Sequence, residues 1–245
     1  MTSFQLAGRT AVVTGALGKI GRAIADGFAN AGATVIGIDR DADKGGRYPV
    51  IAYDVGNPEA VPELMDQLGA DFTVWVNAAY PRTEDWGRDP GDETPENWIR
   101  NVTLQMTASC VIAEAACRKI AMHGGGAVLN ISSIYGLRAP DFSIYEGTYM
   151  GVPAPYTAIK SGIINHTRYL AARYGRDGVR VNVLAPGGIA AGQPQSFQRR
   201  YSARTALGRL GEAADIAGPA VFLCSDAAAY VTGVCLPVDG GWLAV

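Results

Sequence analysis

The chain has 245 residues, 48% of them hydrophobic and 18% charged, with a formal net charge of −2. That supports one sizeable α/β core and excludes disorder as a class, and the interspersed, nearly balanced charge argues against a nucleic-acid or membrane-surface binder. Cys110, Cys117, Cys224 and Cys235 form no C-x-x-C pair, and His123 and His166 have no partners at ligand spacing, so free thiols in a reducing compartment and no metal site are expected. No apolar stretch reaches membrane-span length and no leader pattern opens the chain, so a cytoplasmic protein is expected.

The first predicted strand, 10–14, runs into Thr14-Gly15-Ala16-Leu17-Gly18-Lys19-Ile20-Gly21, and a helix follows over about 19–31. Glycines at such a turn let the backbone approach a pyrophosphate, and the helix N-terminus offers free N–H groups. A second strand, 34–39, ends on Asp39, near the roughly 20-residue offset at which a carboxylate holds an adenosine ribose. Then come a strand at 49–53, a helix over 58–68, a strand at 72–78 and a long helix over 95–122. A strand at 127–132, a helix over 156–175, a strand at 179–184, a helix over 213–226 and a strand at 234–238 complete the order. Such alternation implies right-handed βαβ units: a single-domain α/β Rossmann-type doubly wound parallel sheet of about seven strands, helices on both faces. Two stretches, 80–94 and 135–155, resist assignment. Both follow strands at the carboxyl end of the inferred sheet, where ligands bind.

The chemistry concentrates in Pro155-Tyr156-Thr157-Ala158-Ile159-Lys160 and the earlier Ser132-Ser133. Tyr156 and Lys160, at i and i+4, share one helix face. An ammonium beside a phenol favours the phenolate, so the Tyr156 pKa is expected to fall toward neutrality and suit general acid/base work. A serine hydroxyl nearby can hydrogen-bond the oxygen that changes charge. Alone this pair is a weak signal; beside a dinucleotide-type glycine loop it is a strong one.

Together the glycine loop, Asp54-Val55, Asn77-Ala78-Ala79, the Ser133/Tyr156/Lys160 set, Pro186-Gly187 and Val238-Asp239-Gly240-Gly241 resemble the classical short-chain dehydrogenase/reductase family over essentially the whole chain. The resemblance implies an NAD(P)-dependent oxidoreductase working on a secondary alcohol or ketone. It implies a cofactor held by Gly15, Leu17, Gly18, Lys19, Ile20, Asp39, Arg40, Asp54, Val55, Asn77, Ala78 and Ala79. Pro186, Gly187 and Ile189 would meet the nicotinamide. Tyr156 would be the acid/base. Lys160 would tune it and bind ribose hydroxyls, and Ser133, with Ser132 as rival, would polarise the substrate. Asp39 favours NAD, with NADP as the alternative through Arg40 or Lys19. The chain departs from the family pattern in three places. Lys19 stands at the usual middle glycine, with a glycine one place earlier at Gly18. Asn77-Ala78-Ala79 replaces Asn-Ala-Gly. Gln105 occupies the register of the helix asparagine that completes a proton relay, with Asn101 one turn earlier as the other candidate.

Between Ser133 and Tyr156 lie 22 residues, more than the family's usual spacing. The insert also resembles, more weakly, the flagellin-modification and surface-sugar oxidoreductases. Tyr145, Glu146 and Tyr149, in a loop at 137–155, and Arg199 and Arg200, in a loop at 189–206, are therefore expected to form two walls around a hydroxylated, anionic substrate such as a sugar phosphate or nucleotide-sugar. A reductase of acyl thioesters or small ketones, and a non-catalytic nucleotide-binding scaffold, stay open beside this reading. Small and apolar residues on more than one face of 95–122 and 156–175, such as Ala113, Ala116, Ile163 and Ala171, point to a homodimer or homotetramer.

Overall fold

The computed structural model describes residues 4–42, 46–69, 71–86 and 93–245. Part of the expected ligand loop 80–94, at 87–92, lies outside them. Seven parallel strands form one sheet in the order β3-β2-β1-β4-β5-β6-β7. They are β1 (Thr10–Thr14), β2 (Thr34–Asp39), β3 (Val50–Ala52), β4 (Val74–Asn77), β5 (Gly126–Ile131), β6 (Val179–Pro186) and β7 (Cys235–Val238). The order reverses between β1 and β4, which opens a crevice at the carboxyl ends of those two strands. Pro237 is tolerated because β7 is an edge strand with β6 as its one neighbour.

Period-two side-chain direction splits the apolar strand residues between two helical layers. Val12, Trp75, Val128 and Val181 face one way, onto Leu64, Ile112, Ile120 and Leu170. Val13, Val76, Leu129 and Leu184 face the other, onto Ile24, Phe28, Ile216 and Leu223. The helices are α1 (Lys19–Asn30), α2 (Val61–Gln67), α3 (Pro95–Asn101), α4 (Ala108–Met122), α5 (Ala154–Tyr174), α6 (Gln195–Ser202) and α7 (Ala213–Cys224).

Two features differ from the sequence expectation. The helix expected over 95–122 carries a π-helical stretch, Val102–Thr107, between α3 and α4. That geometry brings Met106 close to α5: a Cβ on Gly162 would lie 2.5 Å from the Met106 sulfur. Second, α6 falls inside the stretch expected to be a loop over 189–206. It is only eight residues long, mostly polar, and follows Pro194, so its buried Phe197 and Tyr201 are the whole of its apolar face. They join Tyr135, Ile144, Val152 and Trp242 in a third apolar cluster beneath the insert.

Candidate active site

At the switch point the glycine loop is fixed by close approach. Gly15 has φ +68°, and a Cβ there would lie 2.7 Å from Ala79 Cα; one on Gly21 would lie 2.1 Å from the Gly15 carbonyl oxygen. Position 19 is under no such demand, because it opens α1 with ordinary helical geometry. This explains how a lysine can replace the usual glycine. The Lys19 ammonium instead reaches the Ala190 carbonyl at 2.9 Å, joining the glycine loop to the segment after β6.

A cleft of about 620 Å³ opens here, lined by the loop with Asp39, Arg40, Asp54, Val55, Ala78 and Ala79. Asp39 accepts from the Leu17 and Arg40 amides at 2.9 and 2.8 Å, so its carboxylate is keyed to the glycine loop. Asp54 accepts from the Gly56 amide at 2.9 Å. Thr14 accepts from the Ala78 and Ala79 amides at 3.1 and 3.2 Å, tying the ends of β1 and β4 together under the cleft. Asn77 lies behind the cleft, where it accepts from the Trp75 indole at 2.7 Å and donates to Asn130 at 2.8 Å; Asn130 in turn donates to Thr167 on α5. The glycine cradle, the helix N-terminus and Asp39 fit an adenine dinucleotide.

Tyr156 and Lys160 stand on the first turns of α5, which starts at a proline-rich entry suited to a helix N-terminus. Lys160 is 7% exposed, and its ammonium lies over the faces of Tyr156 and Tyr80, 5.6 and 5.3 Å from the ring centres. It also donates to the Ile131 carbonyl at 3.3 Å. Burial pushes the Lys160 ammonium down to about 8. Burial also raises the Tyr156 phenol, while a hydrogen bond with Ser133 pulls it the other way. The expected lowering of Tyr156 is therefore not what this arrangement gives, because the ammonium sits over the ring and desolvation outweighs the Ser133 hydrogen bond. The two serines divide their work. Ser132 donates to the Lys160 carbonyl at 2.8 Å, whereas Ser133 accepts from the Tyr135 amide at 3.2 Å and faces the cavity beside Tyr156.

Gln105 and Asn101 are both buried, and Gln105 donates to Asn101 at 3.2 Å. Asn101 is committed to Thr83, to which it donates at 2.9 Å. The Gln105 carbonyl oxygen has no partner, and it borders a small void of about 20 Å³ shared with Thr14, Asn77 and Ser109, room for one water.

A second cavity, of about 410 Å³, adjoins the cleft; Tyr80 and Arg82 line both. Ser133, Tyr156 and Gly187 lie in its wall. Of the expected substrate residues, Tyr145 and Tyr149 line it. Glu146, Arg199 and Arg200 are exposed and outside its described lining. The Arg200 guanidinium instead donates to the Glu146 carbonyl, and Arg204 pairs with Asp141. These arginines fasten α6 to the insert rather than pointing at a ligand. Pro186 ends β6 beside the site, and Ile189 bridges to Gly211 rather than lining either space. Sequence reading did not single out Tyr80, Trp86, Tyr135, Phe197 and Tyr201 of the cavity wall; the available signal was that they fall in the three stretches 80–94, 135–155 and 189–206 expected near a ligand.

A Rossmann sheet with its crevice meeting a Ser/Tyr/Lys set defines a nicotinamide-dependent oxidoreductase. The family model described as enoyl-(acyl carrier protein) reductase matches residues 15–243. The chain belongs to the short-chain dehydrogenase/reductase family; it is an NAD(P)-dependent enzyme acting on CH–OH groups, interconverting a secondary alcohol and a ketone. It is 34% identical to cis-4-hydroxycyclohexanecarboxylate dehydrogenase of Sinomonas cyclohexanicum, over 97% of each chain. It is 31% identical to 2-dehydro-3-deoxy-D-gluconate 5-dehydrogenase of Escherichia coli strain K12, over 100% of this chain and 99% of that one. Post-translational flagellin modification protein A of Campylobacter coli is 32% identical over 78% of this chain and 77% of its own. Among solved structures, a putative NAD(P)-dependent gluconate 5-dehydrogenase from Beutenbergia cavernae with bound NADP superposes with a TM-score of 0.86 at 35% identity, covering 99% of each chain. A Leptospira borgpetersenii short-chain dehydrogenase with bound NAD+ gives 0.86 at 30% identity, covering 99% of this chain and 96% of that one.

Proposed function

We propose that this chain is an NAD-preferring dehydrogenase of a small hydroxylated, sugar-like or alicyclic secondary alcohol, with Tyr156, Ser133 and Lys160 as its catalytic groups. The observation that carries this is the meeting of Tyr156 and Ser133, above buried Lys160, where the cofactor cleft joins the second cavity. In the oxidative direction Tyr156 takes the hydroxyl proton, Ser133 holds the substrate oxygen, and Lys160 binds ribose hydroxyls and supports the phenolate. A bound nicotinamide supplies the hydride acceptor or donor. Gln105, at the polar void, is the candidate to carry a relay water behind Lys160. Relatives named for a hydroxycyclohexanecarboxylate and a deoxygluconate support a small hydroxy-acid substrate more than an acyl thioester.

Asp39 at the end of β2 favours a free ribose and repels a 2′-phosphate. Native kcat/KM should therefore be higher with NAD than with NADP, and Asp39→Ala should narrow the ratio. A clear native preference for NADP would overturn the assignment. The remainder of the reading is a single domain over 1–245 with substrate segments at 137–155 and 189–206, assembling in the cytoplasm as a homodimer or homotetramer through α4 and α5. Those helices leave Val111, Met122 and Tyr169 exposed, and light scattering that returned a monomer at micromolar concentration would remove the assembly claim. Among the described residues no helix is long and apolar enough to cross a membrane.

A further inference from the structure

The geometry points to a narrower substrate class, resting on the dehydrogenase reading above: a ring-shaped hydroxy or keto monoacid, its ring held between aromatic faces and its carboxylate on Arg82. The cavity wall is dominated by tyrosines, and their hydroxyls are largely engaged within the protein. Tyr80 accepts from the Trp86 indole at 2.6 Å, Tyr135 and Tyr145 bond each other at 2.8 Å, and Tyr201 accepts from the Gly188 amide. Beyond the O–H protons that Tyr80 and Tyr201 still have to donate, these side chains offer a ligand mostly ring surface. Among the described residues the lining contains no carboxylate and no side-chain amide. A substrate with a hydroxyl on every carbon finds few side-chain acceptors in such a wall, and each stranded polar group is costly. A six-membered carbocycle meets the same wall with apolar faces and edges.

Charge narrows the class further. Arg82 is the only charged side chain among the described residues lining the cavity, and no described acid forms an ion pair with it. Its guanidinium lies 5.6 Å from the Tyr80 ring centre, and that ring lies 5.9 Å from the ring of Tyr156. Arg82 therefore stands one aromatic ring away from the acid/base. A ligand that touches both groups must carry its carboxylate away from its carbinol carbon. A planar guanidinium binds carboxylate through two parallel hydrogen bonds.

The experiment compares 4-hydroxycyclohexanecarboxylate with its primary amide, alongside D-gluconate and galactitol, in wild type, Arg82→Gln and Arg82→Lys. Wild type should prefer the ring acid to its amide by about 10- to 100-fold in kcat/KM. Arg82→Gln should abolish that preference by raising KM for the acid more than for the amide, any change in NADH affinity acting on both alike, and Arg82→Lys should restore part of it. Cyclohexanecarboxylate and cyclohexanecarboxamide, which cannot be oxidised, are titrated calorimetrically onto the NAD-loaded enzyme as well, so that binding is read without turnover. Equal handling of acid and amide by wild type, an undiminished acid preference in Arg82→Gln, or faster turnover of the open-chain polyols would each overturn the proposal while leaving the dehydrogenase reading intact. Turnover of none of the four alcohols with either NAD or NADP would count against the dehydrogenase reading; the acid-over-amide binding preference would still decide the proposal.

Discussion

The cofactor cleft and the aromatic cavity share Tyr80 and Arg82 as a party wall, yet they are built by different rules. The cleft is made from strand ends, a helix N-terminus and glycines that no Cβ can replace. The cavity is made from side chains on three separated segments, after β4, between β5 and α5, and around α6. One is a backbone device whose parts lie within a few residues of regular elements. The other is a side-chain device assembled over long sequence distances. The first tolerates little variation; the second can change its ligand without disturbing the sheet.

The sharpest test of this division is to disable chemistry while leaving both spaces intact. Tyr156→Phe should lower kcat by about 10²–10⁴-fold with the Kd of NADH, measured by fluorescence, unchanged. Because burial raises the native phenol, oxidation by wild type should speed up as pH rises above neutrality, and the residual rate of the variant should lose that dependence. Near-native turnover would discard the mechanism.

Lys160→Met tests the border between the two spaces. Turnover and NADH affinity should both fall, yet the protein should become more stable by about 1–3 kcal/mol near pH 7, because a buried ammonium no longer has to be desolvated. The sign follows from a folded pKa of about 8 against 10.5 for an ordinary lysine. The folded state binds fewer protons in that interval, so Lys160 costs most stability below about 8, and the cost is relieved as pH rises toward 10.5. Chemical denaturation at pH 7 and pH 10 should show the variant's advantage shrinking; an unchanged advantage would mean that the ammonium is solvated.

On the cleft side, Lys19→Gly restores the usual residue and removes a charge. NADH binding should weaken about five- to tenfold at low salt and converge with wild type at high salt. Equal affinities at low ionic strength would mean that Lys19 only latches Ala190. The smallest effect belongs to the cavity rim: Arg200→Ala should change KM by less than about threefold, because this side chain ties α6 to the insert and is outside the lining. A large KM effect specific to anionic substrates would return Arg200 to the ligand.

The same division decides what could be read from the sequence. β1, β2 and the glycine loop were legible because local φ demands and apolar runs write themselves into neighbouring residues. Tyr156 and Lys160 were legible because their helical spacing is local too. The shift of glycine from 19 to 18 was visible, but its consequence needed the backbone, where positions 15, 18 and 21 make the tight contacts and 19 is free. The π turn at Val102–Thr107 leaves no mark in a polar and apolar pattern that fits an unbroken helix. The cavity wall was half legible: Tyr145 and Tyr149, expected beside a ligand, line it, whereas Arg199 and Arg200 were assigned from charge alone, which cannot say whether an arginine faces a ligand or a neighbouring loop. Tyr80 and Arg82 were hidden in a stretch with no periodicity at all.

The cluster of Tyr135, Ile144, Val152, Phe197, Tyr201 and Trp242, with Arg200 and Arg204 fastening α6 to the insert above it, makes two sequence-distant segments a single exchangeable part. Replacing residues 137–155 of this chain alone with a relative's segment would remove the packing partners of Phe197 and Tyr201 in the insert and take Asp141 from Arg204. The cavity wall is therefore inherited as a matched pair of segments, and a recombination point placed between them separates halves of one tool.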